Sequence, residues 1–299
     1  MRVFFAGGFE IMASAEEEKW LRSIGVVDRL VSYAFLGQPS KPYKEIFKSL
    51  MAQNVYDGIM CDSGAYTAYR KGIKLDVDEY CDFLEDFNPH IAIGLDEIPL
   101  HIDYTIEYFE YTARTTKDNC IHMKERGFDV IPTYHKGEHL DYLKFYVDNF
   151  PYVGISFTGA KGSPNNRAEY LDRCFEVIPD TTKVHGMGIT DTKLPLMFPW
   201  YSVDSSAFVQ HAIYGTIKLI VEGGYTTIAV TEKSKEKKHY KLISKEYRKE
   251  VDEYLDSIDS TFEKCRDSMK ERFRVNILYY LKTLYRPKLD RKHKQTFLF

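Results

Sequence analysis

Eight times between residues 3 and 203, a short apolar run gives way to a longer amphipathic stretch. The runs are Val3–Ala6, Val31–Leu36, Gly58–Cys61, Ile91–Leu95, Val130–Tyr134, Tyr152–Phe157, Lys183–Met187 and Tyr201–Val203. Helices are expected between them over Ala15–Ile24, Lys44–Gln53, Val77–Phe87, Ile102–Arg126, His139–Asn149 and Arg167–Val177, with a short one near Thr192–Phe198. Strands that are apolar throughout, rather than at alternate positions, are covered on both faces, and helical crossovers make their sheet parallel. Eight such units over roughly 210 residues predict an α/β chain folded as a (β/α)8 barrel, whose usual size is about 250 residues. A doubly wound open sheet is the alternative, but no G-x-G-x-x-G follows the first run to support dinucleotide binding.

The pattern changes after Asp204. Phe208–Ile220 reads as a closing helix, Glu222–Tyr225 as a turn, Thr226–Val230 as a stray strand, and Ser244–Leu284 as one or two helices. The expected division is therefore a catalytic barrel over residues 1–225 and a helical, basic extension over 226–299. Charge follows the same division. From Lys233 to Phe299, 19 Lys and Arg stand against 11 Asp and Glu, although the whole chain carries only −3. A basic tail on an acidic body suits a polyanionic partner; a solvated helical surface is the plainer alternative.

Three of the runs end in an aspartate: Asp62 in Cys61-Asp62-Ser63-Gly64, Asp96 in Leu95-Asp96-Glu97, and Asp204 in Val203-Asp204-Ser205. Carboxylates at the C-terminal ends of several parallel strands are how a barrel builds an active site. Two in one pocket can divide labour, one as nucleophile and one as general acid/base. Asp62 has an Asx turn as its structural alternative, and Asp96 has a helix cap. Tyr66 follows Asp62 closely enough to stack on a flat substrate. His135 ends the fifth run, where a proton carrier or base donor would fit. The glycines around Gly159-Ala160-Lys161 expose backbone amides, yet the Gly-Lys-Ser/Thr ending of a Walker loop is absent. Met187, set between two glycines, offers a polarizable thioether to an aromatic ring.

The five cysteines, Cys61, Cys81, Cys120, Cys174 and Cys265, contain no C-x-x-C pair, which argues against a clustered zinc site and for reduced, buried thiols. No uncharged apolar stretch reaches about 18 residues, and no secretory signal is read at the N-terminus, so a cytoplasmic protein is expected.

In this order the residues resemble the tRNA-guanine transglycosylase family. Asp62-Ser63-Gly64-Ala65-Tyr66 is similar to the family's Asp-Ser-Gly-Gly-Tyr/Phe, whose aspartate is the general acid/base and whose aromatic ring stacks on the base. Leu95-Asp96-Glu97-Ile98-Pro99 is similar to the Phe-Asp-Glu-Cys-x-Pro segment, whose Asp reads the guanine edge. Gly159-Ala160 falls where the family holds the base carbonyl with backbone. His135 stands where it has a base-contacting Gln. His185-Gly186-Met187-Gly188 is similar to Leu-Met-Gly-Val-Gly, whose Met covers the base, and Asp204 follows at the spacing of the nucleophile.

The resemblance covers about residues 55 to 210. The family's C-terminal Cys-x-Cys-x-x-Cys…His zinc site has no counterpart, and the short chain with its basic extension looks like the phage-type transglycosylases that insert 7-deazaguanines into DNA. The resemblance implies a base exchange through a covalent Asp204 intermediate. Guanine in DNA leaves, and a free 7-deazaguanine such as preQ0 enters, with Asp62 moving the proton. No cofactor is required by that chemistry. It also implies polymer contacts by Lys161, Arg167, Arg286, Lys288 and Arg291. The alternatives are the same exchange on tRNA, an N-glycosidic hydrolase, and a nucleic-acid-binding module without catalysis.

Overall fold

The structure is a computed structural model describing the chain apart from residues 9–13, 38–41, 100–104, 158–163, 190–192, 222–223, 233, 235–237 and 285–299 and the side chains of 164–166. Nine parallel strand segments make one sheet: β1 (Arg2–Ala6), β2 (Asp28–Ser32), β3 (Gly58–Asp62), β4 (Ile91–Ile93), β5 (Val130–Ile131), β6 (Thr133–His135), β7 (Tyr152–Ser156), β8 (Lys183–Gly186) and β9 (Ser202–Ser205). Their order is β5-β4-β3-β2-β1-β9-β8-β7-β6, so the first and last strands of this sheet in chain order lie side by side. β5 and β6 are halves of one strand. Pro132 between them has no N–H to give the ladder, which breaks the strand in two. The first half pairs with β4 and the second with β7. Gly94 donates to the Ile131 carbonyl at 2.9 Å and Gly154 to the Pro132 carbonyl at 2.8 Å, so both seams meet on this strand. The result is the (β/α)8 barrel that the alternation predicts.

Helices follow the strands much as expected. Val77–Phe87 matches its expected span, because Asp76 caps it by accepting from Asp78 and Glu79 N–H and Asn88 ends it at φ 49°. The fourth helix runs over Ile106–Glu125, capped by Thr105, which accepts from Tyr108 N–H; the expected start at Ile102 lies outside the described residues. The second strand runs over Asp28–Ser32, not Val31–Leu36, and Tyr33–Leu36 is a helical turn. Two charged residues at its start hide it in the sequence. Both are neutralised by distant partners, Asp28 by Arg2 and Arg29 by Glu18.

Period-two alternation decides which side chains enter the barrel. Phe4, Ala6, Leu30, Met60, Ile93 and Ile131 form one buried cluster, with Ile91, Tyr152 and Met187 packed against it. Two residues further along their strands, Ser32 and Asp62 take the same inward register at the C-terminal rim, as does His135 four residues after Ile131. Asp204 takes it two residues after Ser202.

The chain divides into two compact units. Among the described residues, the barrel comprises Met1–Lys19 and Val27–Ser205, and the second unit comprises Trp20–Val26 and residues 206–284. The two compact units divide after Ser205. The expected closing helix stops at Ile213, and Thr216–Val221 (β10) is a strand paired antiparallel with Gly224–Ala229 (β11). A β-branched, apolar stretch, Thr216-Ile217-Lys218-Leu219-Ile220-Val221, fits a hairpin strand as well as a helix end. Helices Lys245–Asp256, Phe262–Asp267 and Met269–Leu284 complete this unit. Its core gathers Ile217, Leu219, Ile228, Val251, Leu255 and Val275. Asn276 bonds the edge of β10, accepting from Lys218 N–H at 2.8 Å and donating to Thr216 O at 3.2 Å. Among the described residues, no helix is long and apolar enough to cross a membrane.

A candidate active site at the barrel mouth

Asp62 is the last residue of β3, and its Oδ2 accepts from Gly64 N–H at 3.1 Å. Gly64 sits at φ +76°, where a Cβ would run into Ser32 Oγ and Ala34, so glycine is what lets the chain turn directly behind the carboxylate. The Asx-type turn considered as an alternative to a functional role is therefore present, and the same aspartate still faces the mouth. Burial raises its pKa to about 7, and the charges of Asp96 and Asp204 push it the same way.

Asp96 is held from behind by one helix. Within Ile106–Glu125, Met123 Sδ accepts from Leu95 N–H, Thr116 Oγ1 accepts from Glu97 N–H at 2.9 Å, and Asn119 Nδ2 donates to Leu95 O at 3.1 Å. The carboxylate is buried, with Ser63 Oγ donating to Oδ1 at 3.4 Å. His135 Nε2 lies 3.0 Å from Oδ2, but at an angle outside hydrogen-bond geometry, so both ring nitrogens lack a hydrogen-bond partner.

His135 is 1% exposed. Burial opposes its positive charge, but Asp96 and Glu138 outweigh burial and raise its pKa. Glu138, which the sequence reading overlooked, closes a turn on His135. Its Oε2 accepts from His135 N–H at 3.0 Å, and burial raises its pKa to about 7. Its other oxygen, together with Ser32 Oγ and Thr133 Oγ1, is buried without a partner.

Asp204, 9% exposed, completes the rim from β9. His185 Nε2 lies 3.2 Å from its Oδ1, and Gly188 N–H donates to the same oxygen at 2.7 Å. Met187 is partly buried against the barrel cluster. Asp62, Asp96, His135 and Asp204 are therefore brought together, with Met187 on the same rim.

The remaining expected residues are placed differently. Tyr66 is on the short helix Ala65–Arg70 and 51% exposed. Arg167 is exposed on Pro164–Val177, its guanidinium 5.4 Å from the Phe157 ring centre. Gly159, Ala160, Lys161, Arg286, Lys288 and Arg291 lie outside the described residues. The five cysteines are free and buried.

A cavity of about 520 Å3 opens beside Asp96, with Tyr69, Lys74, Glu97, Tyr111 and Asn119 in its walls. Among the described residues, no group of three or more His, Cys, Asp or Glu is placed to hold a metal ion.

The alternation rule finds His185 and Ser202 as inward polar positions, but their chemical role needs the contacts. Glu138 had no such signal, because a turn rather than a strand carries it. Chemically, the rim offers one carboxyl able to give and take a proton near neutrality, one buried carboxylate with an imidazole, and one anchored carboxylate. Compared with known families and with curated proteins, the chain matches no family model and no curated sequence.

Proposed function

We propose that the chain is a guanine transglycosylase, exchanging guanine in DNA for a free 7-deazaguanine base through a covalent bond to Asp204. The observation that carries this reading is the convergence of three carboxylates from different strand ends on one mouth, with Asp62 coupled to the other two. Buried polar atoms are nearly always paired in folded proteins. Ser32 Oγ, Thr133 Oγ1, His135 and Glu138 Oε1 break that rule together, which suits a site whose missing partners arrive with a polar ligand.

In the first half-reaction an Asp204 oxygen bonds to C1′ and the C1′–N9 bond breaks. Its electron pair goes to N9, which takes the proton from Asp62, so guanine leaves neutral. In the second, Asp62 as carboxylate takes the N–H proton of the incoming base. That nitrogen bonds to C1′ and Asp204 is released, with net retention. Asp96 accepts the paired N–H groups of a guanine-like edge. His135 faces the same base. A group that must donate and then accept works best with a pKa near the working pH, which Asp62 has. A base inside a duplex must first be extruded, at a cost of a few kcal/mol.

DNA is proposed as the polymer on the likeness to the compact DNA-modifying relatives. The test is incubation with DNA or with tRNA and labelled guanine or preQ0. Label in DNA, lost with Asp204→Ala, supports the reading; label in tRNA alone reassigns the polymer. Guanine released without incorporation makes the protein a hydrolase. Nucleic-acid binding with neither release nor incorporation makes it a binding module.

A further inference from the structure

We propose that a buried hydrogen-bonded string, Tyr152–Ser202–His185, holds Asp204 by Oδ1 and leaves Oδ2 as the oxygen that bonds to C1′. This rests on the transglycosylase reading above. Tyr152, Ser202 and His185 come from β7, β9 and β8, all turned into the barrel. The Tyr152 hydroxyl is hydrogen-bonded to Ser202 Oγ. Ser202 Oγ lies 2.5 Å from His185 Nδ1, and His185 Nε2 lies 3.2 Å from Asp204 Oδ1. Ser202 and His185 are fully buried, and the rings of Phe4 and Tyr152 meet the imidazole edge-on at 6.1 and 6.4 Å.

Proton direction follows from what each group can do. A carboxylate only accepts, so the Nε2 hydrogen points to Asp204. Nδ1 then accepts from Ser202, and Ser202 accepts from Tyr152. Gly188 N–H already donates to Oδ1, so that oxygen receives two donors. Oδ2 receives neither and keeps its lone pairs for the sugar. When Oδ2 bonds to C1′ and N9 departs with its electron pair and the Asp62 proton, Oδ1 becomes the ester carbonyl and keeps both donors. Attack therefore needs no reorganisation of the donors, which is how fixed dipoles lower a barrier. His185, Ser202 and Tyr152 are positioning residues; none touches the substrate.

Two measurements decide this. In the wild-type protein, nitrogen NMR of the His185 ring should show Nε2 protonated and Nδ1 not. A proton on Nδ1 with none on Nε2 would overturn the string. In single-turnover trapping of the Asp204 adduct, His185→Leu should slow adduct formation about a hundredfold. His185→Gln, which keeps an N–H for Asp204, should recover most of that loss. Tyr152→Phe should slow the step about tenfold, the worth of one hydrogen bond, with KM for the polymer unchanged. Unaltered adduct rates in folded Tyr152→Phe and His185→Leu proteins would also overturn it. If wild-type protein forms no adduct with any polymer, the transglycosylase reading fails, and with it the assignment of Oδ2. The NMR result still decides the string by itself.

Discussion

At the scale of single residues, Asp62 makes a pH-dependent claim. Its folded pKa, about 7, lies above the usual value of 3.8. Between those values the folded protein holds a proton that the unfolded chain has released, so stability falls as pH rises through this window. Asp62→Asn keeps the shape and removes the titration. In urea unfolding, its stability relative to wild type should therefore be greater at pH 8 than at pH 4. Glu138, also raised to about 7, contributes a slope of the same sign that the variant retains. The same substitution removes the proton donor and should reduce base exchange by about 10²–10⁴-fold. In the wild type, adduct formation should fall as pH rises through about 7. The aspartates themselves were legible in sequence, because each ends an apolar run. Their coupling was not: Asp62 meets Asp96 and Asp204 only when strands far apart in the chain converge on one rim.

Among the elements, β2 carries the clearest lesson. Arg29 is buried and lies 2.9 Å from Glu18 Oε2; it also donates to the Phe5 and Gly7 carbonyls at the end of β1. Tyr56 OH donates to the same Glu18 oxygen at 2.6 Å. Glu18→Ala leaves the guanidinium without its charge partner and should cost about 3–5 kcal/mol in urea unfolding. Replacing both Glu18 and Arg29 by Met should cost much less than the two single changes added together, because no uncompensated charge remains. A double-mutant cycle measures the difference. Sequence reasoning moved this strand by three residues because charge at Asp28 and Arg29 argues against burial. The partners that reverse the argument lie 26 and 11 positions away. Val77–Phe87 was read correctly for the opposite reason: its cap, apolar face and terminator all lie within the segment.

For the whole molecule, a polymer substrate predicts a strong dependence on salt. Each Lys or Arg that neutralises a phosphate contributes about 0.9 to the slope of log K against log salt on duplex DNA. Neutralising Arg167, Lys161, Arg286, Lys288 or Arg291 singly should therefore lower the slope of DNA binding by about 0.9 or leave it unchanged, and a fluorescence titration over salt separates contacting from solvated residues.

The helix expected over Phe208–Ile220 is where the structure departs furthest from the sequence pattern, ending at Ile213 before a strand. The stretch Thr216–Val221 is apolar enough to read as a helix end, and its partner strand begins only at Gly224. By itself the sequence determined the eightfold alternation, hence a parallel α/β barrel, and placed an aspartate at three strand ends. Periodicity and capping are local, and a single chain displays them directly. Only the tertiary structure decided that Pro132 divides one strand between two seams. It also threaded Tyr152, Ser202 and His185 together behind Asp204. Those contacts depend on register across strands, and register is set when side chains far apart in sequence pack into one interior.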